Sequence, residues 1–231
     1  MPKHIGIVAC SAEGAALCYR TICREAPARM GEHMHPEVSM HTHPLGEYVP
    51  LFRSGDWDGV AERMLDSAEK LVSIGAQILI CPDNTVHGAF SSVEKKSAVP
   101  WIHIADAVGV EAKRQGYARI GVTGTKCLMA GSVYPERLAK FDIVCELPDE
   151  LDRERIDMII FRQLVNGIYT NESRRFFCDV FEKLKERGCD AVALGGTEIP
   201  ILVDMSDCPM PVLDSARLLA RAALERALED G

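Results

Sequence analysis

Two short runs in this chain combine groups that do acid–base chemistry with groups that bind small anions. Cys81-Pro82-Asp83-Asn84-Thr85-Val86-His87 follows the apolar stretch Ala76 to Ile80, and Gly195-Gly196-Thr197-Glu198-Ile199 follows Ala191 to Leu194. Each run leaves a strand-like stretch and enters a helix-like one, which lets main-chain amides, small hydroxyls and a carboxylate converge on a small anionic substrate. Taking a proton from the carbon next to a carboxylate needs a base on one face, a donor where the proton returns, and fixed dipoles that hold the enediolate. Asp83 is the best-placed acid or base, although capping of the helix behind it accounts for the same residue. An aspartate of ordinary pKa, about 3.9, is too weak a base at neutral pH unless burial or a like charge raises it. Gly196 offers no acid or base, only an amide that is open to close approach because no Cβ intervenes.

The elements that must hold these runs alternate regularly. Strands are expected at about Ile5 to Val8, Glu37 to Thr42, Gln77 to Cys81, Trp101 to Ile104, Arg119 to Val122, Ile143 to Cys145, Ala191 to Leu194 and Val212 to Leu213. Between them run helical periodicities, the strongest from Asp56 to Ile74 with Val60, Met64, Ala68 and Leu71 on one face. Further helices are expected through Ala16 to Ile22, from Gly88 to Lys96, Ala107 to Gln115, Leu128 to Lys140, Leu151 to Val165 and Glu172 to Gly188, and at the C-terminus. His43 to Arg53 and Ser132 to Glu136 read as loops. This alternation predicts an α/β fold with two parallel sheets. The halves read as rough copies, Gly6-Ile7-Val8-Ala9 answering Gly121-Val122-Thr123-Gly124 and the Asp83 turn answering the Gly196 turn. The expected fold is two pseudo-symmetric Rossmann-like lobes, 1–105 plus 212–231 and 106–211, with the active site in the cleft between them.

Composition narrows the choice of partner. A 231-residue chain that is 47% hydrophobic can bury a real core. Its net charge of −8 and pI near 5.4 disfavour a nucleic-acid surface. No stretch approaches the roughly 20 apolar residues of a membrane span, and Met1-Pro2-Lys3-His4-Ile5 enters a strand with no signal-like run, so a cytoplasmic protein is expected. Nine scattered cysteines, an odd number, read as reduced thiols. His33, His35, His41 and His43 invite a metal reading, but no Cys or carboxylate completes a ligand spacing, so none is expected; a loop beside the substrate suits His41 and His43 better. Gly121-Val122-Thr123-Gly124-Thr125-Lys126 lacks the phosphate-loop spacing.

The two runs, together with Gly6-Ile7-Val8, Gly124-Thr125 and Pro211-Val212-Leu213-Asp214-Ser215, resemble the aspartate/glutamate racemase superfamily in matching order over nearly the whole chain. The resemblance implies cofactor-free chemistry, usually in a homodimer, with one thiol in each turn on opposite faces of the substrate's α-carbon. Aligned on Asn84-Thr85-x-His87, the first of those positions, Cys or Thr in the family, falls on Asp83; where the family reads Gly-Cys-Thr-Glu, the second falls on Gly196. It implies that Asn84, Thr85, Thr125 and Thr197 bind the substrate carboxylate, and it brings Glu198, Cys10, His87 and Thr197 near the cleft as replacements for the missing second thiol. Ser11 is a further carboxylate ligand or a cap. Cys10 is a thiol whose pKa a helix N-terminus can lower, or a buried filler. Lys126 is a partner for a distal acid on the substrate, or a surface lysine. The expected function is an isomerase acting at the carbon alpha to the carboxylate of a small amino acid or dicarboxylate of the aspartate or glutamate kind. Decarboxylation or elimination with a single acid, and non-catalytic binding of a small anion, stay open as alternatives.

Overall fold

The apolar runs ahead of the two turns become inner strands of two parallel sheets in a computed structural model, which describes residues 1–203, 206 and 208–229. In the first sheet β1 (Ile5–Ala9), β2 (Val38–Thr42), β3 (Ile78–Ile80) and β4 (Trp101–Ile102) lie in the order β2-β1-β3-β4. In the second, β5 (Arg119–Gly124), β6 (Val144–Glu146), β7 (Ala191–Gly195) and β8 (Val212–Asp214) lie in the order β6-β5-β7-β8. Every pairing is parallel. The two orders are the same, so β5 answers β1 and β7 answers β3, and the chain has the α/β architecture its alternation predicts. β1, β3 and β7 are buried at every residue, as strands covered on both faces must be. In each sheet the strand order reverses beside the first strand, which leaves a crevice beyond the C-terminal ends of the inner strands.

Six long helices cover the sheets: α1 (Ala12–Glu25), α2 (Trp57–Ser73), α3 (Ile104–Gln115), α4 (Glu150–Arg162), α5 (Asn171–Glu186) and α6 (Ser215–Leu228). Asp56 starts α2 by accepting a hydrogen bond from Gly59 N at 2.9 Å, and Val60, Met64, Ala68 and Leu71 are buried as the periodicity requires. Phe176, Phe177 and Phe181 of α5 pack with Ile156 and Ile160 of α4 behind β7. By its pairing β8 belongs to the second sheet, and the chain turns back at Ser215, where Asp214 caps α6 by accepting from Arg217 N at 3.0 Å. Leu219, Ala220, Ala223 and Ala227 of α6 then complete the first lobe's core against Ile5, Ile7, Ile78 and Ile80. Among the described residues no helix is long and apolar enough to cross a membrane.

Several segments differ from the sequence expectation. Residues Leu45–Ser54 form a helix with Pro50 inside it, not a loop. Its buried residues Tyr48 and Phe52 lie four apart, and their packing outweighs the hydrogen bond that Pro50 cannot make. The helix expected from Leu128 to Lys140 is two pieces, Lys126–Ala130 and Val133–Ala139, because Pro135 has no N–H for the Gly131 carbonyl and tolerates only an early helical position. The second piece also occupies most of the expected loop at Ser132 to Glu136. The fourth strand stops at Ile102, since the His103 ring accepts from Ala105 N at 3.1 Å and so starts α3 early.

Candidate active site

Four turns meet where the lobes face each other. Ser11 Oγ, just after β1, lies 3.0 Å from Thr197 Oγ1, just after β7; Thr85 Oγ1, after β3, lies 2.8 Å from Thr125 Oγ1, after β5. With β1 matched to β5 and β3 to β7, these contacts are copies of one another, each joining a first-strand turn of one lobe to an inner-strand turn of the other. Asn84 extends the seam. Its Nδ2 donates to Ser215 Oγ at 3.0 Å, its Oδ1 accepts from the Tyr134 hydroxyl at 2.7 Å, and Ser215 in turn donates to the Leu194 carbonyl. Asp83, Asn84 and Thr85 from one lobe and Thr125, Gly196, Thr197 and Glu198 from the other line a single cleft of about 30 Å³. Through the shared residues Ser11, Leu45, Val165 and Glu198 this cleft continues into a chamber of about 470 Å³ beside β1 and β2.

Both carboxylates in the cleft are held in an unusual state. Asp83 keeps a partial opening, yet burial, and then the charge of Glu198, push its pKa up to about 7 against the pull of a hydrogen bond from Thr85 N–H. That bond joins residues two apart within the turn; it is not the helix cap the sequence allows for, since the helical turn behind it starts from Asn84 with no side-chain cap bond. Glu198, 4% exposed, is raised by burial and by the charge of Glu13, while hydrogen bonds from Thr197, its own amide and Ser11 work the other way. Two carboxyl groups held above their ordinary values in one cleft suit a site that must both take and give a proton. At Gly196 a Cβ would stand 2.9 Å from Ile199 Cδ1 and 3.5 Å from Ile160 Cδ1, so the space a side chain would need is already filled by Ile199.

The remaining candidates divide. Cys10 borders the chamber, but its thiol is pushed well above the ordinary range by burial and by Cys81, whose Sγ lies 4.0 Å away, so it is a neutral wall group. His87 is buried behind the Asp83 turn, where Nε2 donates to the Cys81 carbonyl at 2.9 Å; burial lowers its pKa to about 4, so the ring is neutral and props the turn. His41 is tied to Ser67 Oγ at 2.9 Å and does not border the cleft; His43, two residues on, borders the chamber with its Nε2 2.6 Å from Asp66 Oδ2. Lys126 is drawn away to Glu154 at 2.9 Å and lies outside the cleft lining. Sequence reasoning gave no role of their own to Tyr134, Ser215, Glu13 or Ile199, although Ser215 and Ile199 stand in the runs it singled out. Of these only Ser215 left a signal, a small hydroxyl directly after a short apolar strand, like Ser11 after β1.

A family model for Asp/Glu/hydantoin racemases matches residues 5–223. The chain belongs to this family. Among curated members it is 19% identical to the broad specificity amino-acid racemase RacX of Bacillus subtilis over 214 residues, 89% of this chain and 88% of that one. A crystal structure of a Yersinia pestis protein assigned to the Asp/Glu racemases superposes with a TM-score of 0.88 at 32% identity, covering 98% of this chain and all, 100%, of the other. An aspartate racemase homologue from Pyrococcus horikoshii superposes with a TM-score of 0.83 at 26% identity, covering 99% and 100% of the two chains. The two-lobed architecture is therefore that of the Asp/Glu/hydantoin racemase family.

Proposed function

We propose that this protein is a cofactor-independent amino-acid racemase in which two carboxyl groups, Asp83 and Glu198, replace the family's pair of thiols. The observation that carries this reading is that the two groups come from opposite lobes of one chain, line the same cleft and are raised together. The substrate α-carboxylate is received by the hydroxyls of Ser11, Thr85, Thr125 and Thr197 and by the amides at the starts of the turns, with Asn84 fixing the seam between them. Those amides stabilise the negative charge that grows on the carboxylate oxygens as the α-proton leaves. Asp83, unprotonated, takes the proton from one face; Glu198, protonated, delivers its own to the other. The product has the opposite configuration, Asp83 now holds a proton and Glu198 holds none, which is the form that runs the reverse direction. An aspartate with a pKa near 7 is a far better base at neutral pH than one near 3.9. Gly196 contributes its amide, and Ile199 in the neighbouring space keeps water from that side.

The test is α-proton exchange in D2O, followed by NMR and by chiral analysis of an amino-acid panel. Exchange accompanied by inversion is expected, with an acid limb in kcat/KM centred near pH 7 as Asp83 loses its proton. Asp83→Asn is expected to cut exchange about a hundredfold or more. Exchange with retention, or release of carbon dioxide, would mean one-sided chemistry and leave Glu198 with no proton to deliver. Ligand binding with no exchange would leave an anion-binding protein.

A further inference from the structure

Aspartate and glutamate carry a distal carboxylate that a positive group would bind most strongly. Among the described residues no Lys or Arg borders either the cleft or the chamber that continues it. Lys126 is engaged by Glu154, and the Arg53 guanidinium lies over the Phe161 ring, 4.5 Å from its centroid. His43 is already matched by Asp66. What the chamber does present is an apolar wall of Met40, Leu45, Leu164 and Val165 and, at its edge, the Glu13 carboxylate in the first turn of α1. Glu13 forms no ion pair with any described residue, although Arg20 and Arg24 share an outer groove with it. It is also close enough to Glu198 for the two charges to be felt together: after burial, both carboxylates hold the Tyr169 phenol above its ordinary value.

The chamber and the cleft share Ser11, Leu45, Val165 and Glu198, so a substrate whose α-carbon sits between Asp83 and Glu198 sends its side chain into the larger space. Resting on the racemase reading of the cleft, we infer that the preferred substrate is a basic amino acid, whose aliphatic stem lies along the Leu45 and Val165 wall and whose cationic end meets Glu13. About 470 Å³ holds such a side chain with room to spare. A distal carboxylate, by contrast, enters a largely apolar space that holds the Glu13 carboxylate and no Lys or Arg, so it loses water without gaining a cationic partner. Selection at this wall works as much by refusing acids as by welcoming bases.

The experiment measures α-deuterium exchange and ligand-induced thermal shift for L-lysine, L-ornithine, L-norleucine, L-aspartate and L-glutamate on the full chain and on two variants. Lysine and ornithine are expected to exchange fastest and the two dicarboxylates slowest. Because Glu13 is exposed, Glu13→Gln is expected to lower the ratio of lysine to norleucine kcat/KM by about fivefold, and Glu13→Arg to shift preference toward glutamate. Faster exchange on aspartate or glutamate than on lysine, or equal losses on lysine and norleucine in Glu13→Gln, would overturn the inference while leaving the racemase standing. Lysine that stabilises the protein but never exchanges would uphold the ligand class and overturn the chemistry. A panel silent in both readouts would overturn both.

Discussion

Asp83 is costly to the folded state for the same reason that it is useful. Its folded-state pKa of about 7 stands above the ordinary value of 3.8, so between those values the folded chain holds a proton that the unfolded chain has released. Stability from this group is therefore full below about pH 4 and is lost as pH rises through about 7, above which the folded protein carries a poorly solvated charge beside Glu198. Asp83→Asn removes the titration and keeps the shape. It is expected to be more stable than wild type at pH 8, by on the order of 2 kcal/mol after allowance for the group's partial opening, and to match it near pH 4. Urea unfolding at the two pH values checks this. A constant difference between the curves would mean that Asp83 is not held in its raised state, and the case for it as the base would fall with it. Stability surrendered at one position in exchange for reactivity is what a catalytic residue, and not a simple cap, leaves behind.

At the level of elements, the inner strands were legible because a parallel strand covered on both faces must be an unbroken apolar run, and the turns after them because Asp, Asn, Thr and Gly at a strand-to-helix junction have few other uses. The helix at Leu45–Ser54 was hidden by Pro50, which argues locally against a helix that only the burial of Tyr48 and Phe52 sustains. The chamber was not legible at all. Its wall draws on Glu13, Met40, His43, Leu45, Leu164 and Val165, from three separate stretches whose meeting depends on packing and has no trace in spacing. Lys126 was misread for a related reason: its place after Thr125 says nothing of Glu154, which α4 brings alongside. The last helix shows how far such packing reaches, since α6 leaves the second sheet at Ser215 and fills the first lobe's core. Leu219 of α6 is fully buried among Ile5, Ile22, Ile78 and Ile80. Leu219→Ala is expected to cost about 3 kcal/mol in chemical denaturation by emptying that space, in a helix with no direct part in the chemistry. A loss below about 1 kcal/mol would show that α6 is dispensable to the first lobe.

For the molecule as a whole, the size of the cleft sets a requirement. A space of about 30 Å³ between Asp83 and Glu198 accommodates a water or two, not an α-carbon with its carboxylate and ammonium. The lobes must part for a substrate to enter, and the contacts that break in doing so are the hydroxyl pairs Ser11 with Thr197 and Thr85 with Thr125, and the bond from Tyr134 to Asn84. Each is a neutral hydrogen bond of modest net worth, about 1 kcal/mol, so a bound carboxylate that satisfies the same groups offsets their loss. Tying the seam covalently should then stop turnover. Thr85→Cys/Thr125→Cys sets two thiols where hydroxyls lie 2.8 Å apart, within reach of a disulfide after a small adjustment. The doubly substituted protein serves as its own control: whatever exchange it retains when reduced is expected to vanish on mild oxidation and return with reductant, while wild type under the same oxidant keeps its rate. Oxidation confirmed by mass spectrometry with exchange undiminished would mean that the lobes need not separate at this point, and that substrate reaches the two carboxyl groups from the chamber alone.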